Sequence, residues 1–309
     1  MLKNTTKKRI AKLFKPIYKL YSGYKLRQFM KQDPKDIADI IYYKKFGRSI
    51  NWNNPTEFNE KIRWMQFNTD TSKWTLLADK YRCRDFVKEK GYSQILVPLL
   101  GVWEKVEDIN FEQLPDSFVI KTNHGSGDVI VVENKDRIDL GIIRKKMDYY
   151  LKTPYGYKTA EPHYLGIKPL VIAEQVLVND ASWSSSIVDY KFYCFNGEPF
   201  CCGVFFNRDI KSHTKVAEIY DMNWVRHDEW IKEENKPTQI VDVPRPQNLN
   251  QMIQACKDLA SEFPFVRMDF YEVGGNFKFG EFTFTPSYCS GGSLSDLLNM
   301  KMGEILKIK

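Results

Sequence analysis

The chain has 309 residues, 43% of them hydrophobic and 14% aromatic, a composition that excludes a disordered protein and favours a globular one with a substantial core. It contains no apolar run long enough to span a membrane, and we expect no secretory signal. Its six cysteines and four histidines are scattered without zinc-site spacing. This excludes a thiolate or imidazole metal site and favours a cytoplasmic protein with reduced cysteines.

The positive charge is concentrated at the N-terminus. The net charge is +7, yet residues 1–31 hold ten lysines and arginines and no acid, which leaves 36 basic and 39 acidic residues elsewhere. Apolar residues recur in this tail at helical spacing: Ile10, Leu13, Ile17 and Leu20. We expect residues 1–32 to form a basic amphipathic tail, interrupted at Pro16, that either lies on the anionic inner face of a membrane or docks on the protein's own body. Nucleic acid is not an expected partner, because the charge is confined to this segment.

Residues 33–100 are predicted to be mainly helical and to form an N-terminal, substrate-binding region. The sequence NPTEF has the pattern of a helix start, with Asn54 as the N-cap, Pro55 in the first helical position and Glu57 placed to reach back to the cap. LLADKYRCRDFVKEKGY predicts one further helix that ends at Gly91, and ILVPLLGVW predicts an apolar strand broken at Pro98.

From residue 101 onwards, strand patterns alternate with helix patterns. FVIKTNHGSGDVIVVENK predicts two strands joined by a glycine-rich turn, RIDLGIIRKKMDYYLK an amphipathic helix, and PLVIAEQVLV a buried strand. A hairpin is predicted at Asn196-Gly197, KVAEIYDMNW can add a strand, and NLNQMIQACKDLASEF predicts a helix. Strand pairs that alternate with helices predict an α+β protein with antiparallel sheets.

The last predicted hairpin, FVRMDFYEVGGNFKFGEFTF, carries an acid in each strand. A three-residue loop would set three strand pairs: Val273 with Phe277, Tyr271 with Phe279, and Asp269 with Glu281. Directly opposed carboxylates destabilise a sheet, and a hard divalent cation such as Mg²⁺ reverses that interaction. Thr283 follows on the same face and can supply a third oxygen. The alternative is that both acids lie on a solvated face beside Lys278 or Arg267.

Two further segments place polar residues next to apolar strands. In VIKTNHGSGD, Lys121 ends a strand and a Gly-x-Gly turn follows, whose backbone N–H groups can converge on phosphate oxygens. The alternative is an ordinary hairpin in which His124 is only a turn residue. In VIAEQVLV, Glu174 is costly unless satisfied; such a strand can hydrogen-bond an adenine edge, or it is an edge strand that exposes Glu174. Lys191 is either a strand-face lysine or a second cation for phosphates.

In chain order, KTNHGSGD, IAEQVL, DYKFYCFNGEP and RMDFYEVGGNFKFGEFTFTP resemble the motifs of ATP-grasp proteins. The chain most resembles the TupA-like branch, named after an enzyme of teichuronopeptide biosynthesis, over roughly residues 50–300. The most specific parts of the resemblance are ADKYRCRDFV, the Lys-x-x-x-Gly-x-Gly turn and GEFTFTPS. It implies an ATP-grasp fold in which two lobes with antiparallel sheets clasp ATP, with a nucleotide lobe at about residues 101–170 and a metal-binding and catalytic lobe at about residues 171–309.

The resemblance also implies roles for the residues described above. Asp269 and Glu281 would hold Mg²⁺, Arg267 would face the transferred phosphoryl group, and Lys191 would share the catalytic role. Thr283 stands where ATP-grasp enzymes usually have asparagine, so the number of metal ions, one or two, stays open. The implied ATP contacts are Lys121, His124, Gly125, Ser126, Gly127, Glu174, Gln175, Val176, Leu177 and Lys191.

The implied activity is that of an ATP- and Mg²⁺-dependent ligase, which phosphorylates a carboxylate and lets an amine attack the acyl phosphate. An amino acid and a sugar acid or glycan are the implied substrates, in the biosynthesis of a cell-surface polysaccharide. This chemistry needs no nucleophilic side chain, in agreement with the lack of a Ser-His-Asp or Cys-His pattern. The alternatives are a glycosyltransferase that uses a nucleotide sugar and a non-catalytic nucleotide-binding protein.

Overall fold

Two antiparallel sheets organise the chain, whose computed structural model describes residues 30–209, 214–237 and 241–308. The smaller sheet has the order β1-β4-β2-β3 and contains β1 (Leu99–Trp103), β2 (Phe118–Thr122), β3 (Ile130–Val132) and β4 (Val171–Glu174). The larger sheet has the order β7-β6-β5-β8-β9 and contains β5 (Asp189–Phe195), β6 (Glu198–Asp209), β7 (Thr214–Asp221), β8 (Val266–Val273) and β9 (Asn276–Thr283). All neighbouring strands are antiparallel, which confirms the predicted fold class.

The helices of the described residues are α1 (Pro34–Phe46), α2 (Phe58–Asn68), α3 (Ser72–Ala78), α4 (Cys83–Glu89), α5 (Leu140–Leu151), α6 (Gly156–Thr159), α7 (Leu249–Ala260) and α8 (Asp296–Ile305). Helix α2 begins later than predicted, because Glu57 is its N-cap and forms a capping box with Glu60, so the predicted cap at Asn54 is wrong. The single helix predicted to end at Gly91 is two helices. Asp79 separates them, since its side chain accepts the backbone N–H groups of Tyr81 and Arg82.

The main core lies between the larger sheet and the helices α2, α7 and α8. Phe58 of α2 contacts Phe265 edge to face, with ring centres 4.7 Å apart, and α7 buries Met252 and Leu259 completely. A second core lies between α5 and the smaller sheet, where Met147 packs with residues such as Phe118. All six cysteines are buried and unpaired, as expected of reduced core residues.

Several predictions about organisation remain predictions. The predicted helix of the basic tail, with Ile10, Leu13, Ile17 and Leu20, lies outside the described residues. Among the residues that are described, no helix is long and apolar enough to cross a membrane. The lobe boundary expected near residue 170 is not tested, although β4 pairs with β1 and β2 in the smaller sheet.

His163 is a buried histidine whose removal should change the response of the fold to acid. Its ring lies 5.7 Å from that of Trp74 and 4.5 Å from that of Tyr164, and neither ring nitrogen has a hydrogen-bond partner among the described residues. Burial, helped by the charge of Arg63, lowers the pKa of His163 from 6.5 to about 3. The unfolded chain therefore binds more protons in this range, and stability should fall as the pH drops from about 6.5 towards 3.

We expect His163→Phe, which needs no hydrogen-bond partner, to lose this acid sensitivity. Urea denaturation at about pH 7.5 and about pH 5 should give a smaller difference in the free energy of unfolding for the variant than for the wild type. The same pH dependence in both proteins would show that His163 does not titrate on unfolding.

Candidate active site

The C-terminal hairpin pairs its two acids, although its turn is shorter than predicted. The turn is the dipeptide Gly274-Gly275, with φ values of 58° and 70° that glycine adopts without strain. Both pairings predicted next to the turn are therefore wrong, since each partner lies one residue earlier: Val273 pairs with Asn276, not Phe277, and Tyr271 with Lys278, not Phe279.

A β-bulge then restores the register, so Asp269 does pair with Glu281. The extra residue is Gly280, which lies between the partners of Phe270 and Asp269. A Cβ atom at this position would lie 3.0 Å from the carbonyl oxygen of Asp269. Glycine at this position therefore allows the two carboxylates to stand opposite each other.

Asp269 is fully enclosed by cationic side chains. Its Oδ1 accepts a hydrogen bond from Arg267 Nε at 2.6 Å, and its Oδ2 accepts one from Arg267 Nη2 at 2.7 Å and another from Lys191 Nζ. Burial alone would raise the pKa of the Asp269 carboxyl, but the charges of Arg267 and Lys191 overcome this and lower it. Asp269 therefore stays ionised and fixes both cations on the same face of the sheet.

Arg267 also lies between the two acids. Its Nη2 is 3.3 Å from Glu281 Oε1 and donates to Thr283 Oγ1 at 2.9 Å, while that hydroxyl donates to Glu281 Oε1 at 3.0 Å. The solvated arrangement considered as the alternative is therefore wrong for Asp269, which is buried, and right in placing Arg267 beside both acids. Arg267 offsets the like-charge repulsion, so this repulsion alone does not require a metal ion.

The donor set still fits a magnesium ion that arrives with phosphate groups. Asp269, Glu281 and Thr283 offer two carboxylates and a hydroxyl, and Mg²⁺ is commonly held by one or two carboxylates together with substrate phosphates. Nowhere in the described residues, this site included, does a group of three or more His, Cys, Asp or Glu side chains gather where a metal could bind, so the two acids would need substrate oxygens to complete a metal site. Oδ2 of Asp269 already accepts two hydrogen bonds, whereas Oδ1 accepts one and keeps a second lone pair for a metal ion.

Glu174 satisfies its buried charge by pairing with two cations. Lys121 Nζ lies 2.6 Å from its Oε2, and Arg84 Nη1 lies 3.3 Å from its Oε1. The edge-strand alternative is wrong, because β4 lies between β1 and β2 and Glu174 is buried. Strand β4 ends at Glu174, and the next residues, 175–177, are partly or fully exposed to solvent.

The glycine-rich turn is closed at its base and open at its tip. Both the backbone N–H and the hydroxyl of Thr122 donate to Asp128 Oδ2. Gly127 has a φ of 82°, and Ser126 is exposed. His124 is buried; burial lowers the pKa of its ring, and its Nδ1 has no partner among the described residues. His124 thus forms part of the loop's support, while its predicted contact with phosphate stays a prediction.

Sequence reasoning gave no role to Lys80 and Arg84, which join the two halves of the site. Lys80 Nζ donates to the carbonyl oxygen of Gly125 in the glycine-rich turn and lies 3.9 Å from Glu281 Oε2 on β9. Arg84 holds Glu174, the partner of Lys121. Both cations belong to the ADKYRCRDFV segment. Two cations within one of the most specific parts of the family resemblance are therefore the sequence feature that could have pointed to a role in the site.

A cavity opens beside Arg267 on the larger sheet. Its floor carries Lys191, Tyr193 and Phe205, with Lys215 from β7 beside them. The loop after β9 forms the opposite wall, with Pro286, Ser287 and residues 291–294. The cavity therefore adjoins the cations that Asp269 holds.

Comparison with known proteins identifies the family. The sequence model of a family described as TupA-like ATPgrasp matches residues 60–307, most of the chain. No match was found among curated proteins.

Solved structures with a similar fold include D-alanine–D-alanine ligase from Bacillus anthracis in complex with ATP, at 15% identity, a TM-score of 0.40 and coverage of 68% of this chain and 55% of that one. L-amino acid ligase from Bacillus licheniformis is similar at 12% identity and a TM-score of 0.45, over 81% of this chain and 55% of that one. The chain thus spans little more than half the length of these ligases. On the family match and the arrangement of its sheets, the chain has the ATP-grasp fold and belongs to the TupA-like ATP-grasp family.

Proposed function

We propose that the protein is an ATP- and Mg²⁺-dependent ligase that joins a carboxylate to an amine during the assembly of a cell-surface polysaccharide. The observation that carries the proposal is the cluster in which Lys191 and Arg267 are fixed by buried Asp269 beside Glu281. Family membership supports the use of ATP. The ligase relatives support the formation of an amide, and the TupA-like resemblance suggests an amino acid and a sugar acid or glycan as substrates.

The proposed reaction has two steps. A carboxylate oxygen of the acceptor bonds to the γ-phosphorus of ATP while the bond to the β,γ-bridging oxygen breaks, which gives an acyl phosphate and ADP. The amine then attacks the acyl carbon and loses a proton, and inorganic phosphate leaves as the amide forms. Both steps depend on positioning and charge neutralisation rather than on a nucleophilic side chain.

The cations of the site would perform this positioning. Arg267 and Lys191 are oriented by Asp269 before any substrate binds, so they can neutralise charge on the phosphoryl group without reorganisation. Mg²⁺, held by Asp269 and Glu281 with Thr283, would supply further neutralisation of the phosphate oxygens.

The smaller sheet and the glycine-rich turn would hold the nucleotide. Lys121 and Lys80 would contact its phosphates, residues 174–177 would contact adenine, and residues 124–127 would cover the site. Because an acyl phosphate hydrolyses in water, a cover that excludes water protects the intermediate. The link from Lys80 to both Gly125 and Glu281 supports a site in which the cover and the metal-binding hairpin act together.

Thermal-shift titration tests the proposal. Mg·ATP should raise the melting temperature by several degrees, whereas UDP- and GDP-sugars should not, because only a ligand that binds the folded form stabilises it. ADP should then accumulate when a uronic acid and an amino acid are added together. Stabilisation by a nucleotide sugar and not by Mg·ATP would favour the glycosyltransferase alternative and overturn the proposal.

Residues 1–31 would hold the enzyme at the anionic inner face of the membrane, in the cytoplasm. Co-sedimentation with vesicles that contain phosphatidylglycerol should be lost when these residues are deleted, while the response to Mg·ATP should be retained. Equal sedimentation of the shortened chain would contradict this placement.

A further inference from the structure

The cavity beside Arg267 contains a cation that the proposed phosphoryl transfer does not use. Lys191 and Arg267 both pair with Asp269, and Lys191 also pairs with Asp189 at 2.6 Å. Lys215 lines the same cavity, yet among the described residues no carboxylate lies within ion-pairing distance of its Nζ. Lys215 therefore brings to the cavity a positive charge that no close ion pair neutralises, although Asp189 attracts it from a longer distance.

Lys215 and Lys191 both lie beside the ring of Phe205, which is on the strand between them. Lys215 Nζ lies 4.6 Å from the ring centre of Phe205, and Lys191 Nζ lies 5.6 Å from the same ring, so the two ammonium groups are within about 10 Å of each other. Although Lys215 is exposed, desolvation by its surroundings and the charges of Arg208 and Lys191 lower its pKa, and the charge of Asp189 opposes this shift. An anion bound between these groups would relieve this crowding of like charges.

The opposite wall supplies backbone hydrogen-bond donors. Residues 287–289 have φ values of 50°, 42° and 53°, and Gly291 and Gly292 have values of 80° and 51°. Such a run of left-handed backbone is costly for residues other than glycine and is found mainly at functional sites. Within the described part of the chain, the N–H groups of Gly291, Gly292 and Ser293 donate to no protein acceptor, and all three residues line the cavity. Unpaired backbone N–H groups opposite lysines are suited to an anionic group.

We propose that this cavity binds the acceptor acid and that the acceptor carries a second anionic group, a carboxylate or a phosphate, held by Lys215 and the N–H groups of residues 291–293. The reacting carboxylate then faces Arg267, which Asp269 holds beside Glu281. β7 lies three strand spacings, about 14 Å, from β8, and long side chains of both strands line one cavity, so a spacer of several atoms would join the two anionic groups. This inference rests on the proposed ligase function, of which it specifies the substrate class.

Paired probes that differ by one anionic group test the inference, and the member of each pair with two anionic groups is called the dianionic probe. Glucuronic acid 1-phosphate is compared with glucuronic acid, and adipate with its monomethyl ester, by isothermal titration with and without Mg·ADP. In the wild type, at least one dianionic probe should bind about tenfold more tightly than its monoanionic partner. Lys215→Gln should lose this preference, whereas Lys215→Arg and the control Lys146→Gln, an exposed lysine of α5, should keep it.

Each other outcome overturns the inference. A wild-type protein that binds neither dianion, or that binds both members of each pair equally, has no second anion site. A preference that persists in Lys215→Gln and is lost in Lys121→Gln would place the dianion in the nucleotide site instead. A dianion preference without any response to Mg·ATP would refute the ligase proposal and leave the anion site standing, so the two failures are distinguishable.

Discussion

Replacing Asp269 with Ala is expected to remove turnover and to lower the stability of the folded protein by about 3–5 kcal/mol. The side chain of Asp269 is 2% exposed, and it is the shared counter-ion of Arg267 and Lys191. Its loss removes the shared counter-ion of both cations and leaves, among the described residues, only Asp189 beside Lys191 and Glu281 beside Arg267, and breaking a buried ion pair costs far more than the pair contributes when intact. Such a loss is a large part of the roughly 5–15 kcal/mol that stabilises a domain, so it should be plain in urea denaturation.

Glu281→Ala provides the matched control on the opposite strand. The side chain of Glu281 is 36% exposed, and its closest cations are Arg267 at 3.3 Å and Lys80 at 3.9 Å. Because a solvated ion pair contributes little, we expect a loss of at most about 1 kcal/mol in unfolding free energy. Mg²⁺-dependent ATP binding should nevertheless collapse in both variants. Unchanged affinity for Mg·ATP in Glu281→Ala, or wild-type stability in Asp269→Ala, would contradict the roles assigned to the two acids.

The pairing of these acids shows what the sequence can predict about the site. Alternation places Asp269 and Arg267 on one face of β8, and the glycines mark the turn, so the approximate position of the acids follows from local rules. The exact register does not, because two deviations cancel: the turn is one residue shorter than expected, and the bulge at Gly280 adds one residue back. At the bulge, the carbonyl oxygen of Asp269 on β8 closely approaches Gly280 on β9. This contact joins two strands, so the sequence around Gly280 alone does not predict it.

The ion pairs that the cations of the site form are harder to predict than the positions of the acids. Glu174 was recognised as costly, but its partners Arg84 and Lys121 lie far from it in sequence and meet it only through strand pairing and helix packing. The helix pattern around Lys80 hides the break caused by Asp79, whose side chain captures two backbone N–H groups. A long lysine or arginine side chain can reach several acids, so the sequence alone does not tell which acid it pairs with.

Arg63→Met is expected to have the second large effect, on the fold and on acceptor binding together. Arg63 is 1% exposed, and its guanidinium donates to the carbonyl oxygens of Thr159, Ala160 and Tyr288 and to the side chain of Gln66. A buried acceptor left without its donor costs about 1–3 kcal/mol, so losing these bonds should lower the free energy of unfolding by about 4 kcal/mol. Urea denaturation of the wild type and the variant measures this loss.

One of these hydrogen bonds, from Arg63 to the carbonyl oxygen of Tyr288 at 2.6 Å, links Arg63 to acceptor binding as well as to stability. It holds the left-handed backbone of residues 287–289, whose strain persists only while the surrounding structure enforces it. Without this bond the loop should relax away from the cavity, so the binding of dianionic probes should weaken more than that of Mg·ATP. Gln66→Met is the matched control, because Gln66 donates to Ala160 and accepts from Arg63 but makes no hydrogen bond to residues 287–289 within the described part of the chain. It should lose stability while retaining probe affinity, and equal losses of affinity in the two variants would show that Arg63 does not hold the wall of the cavity.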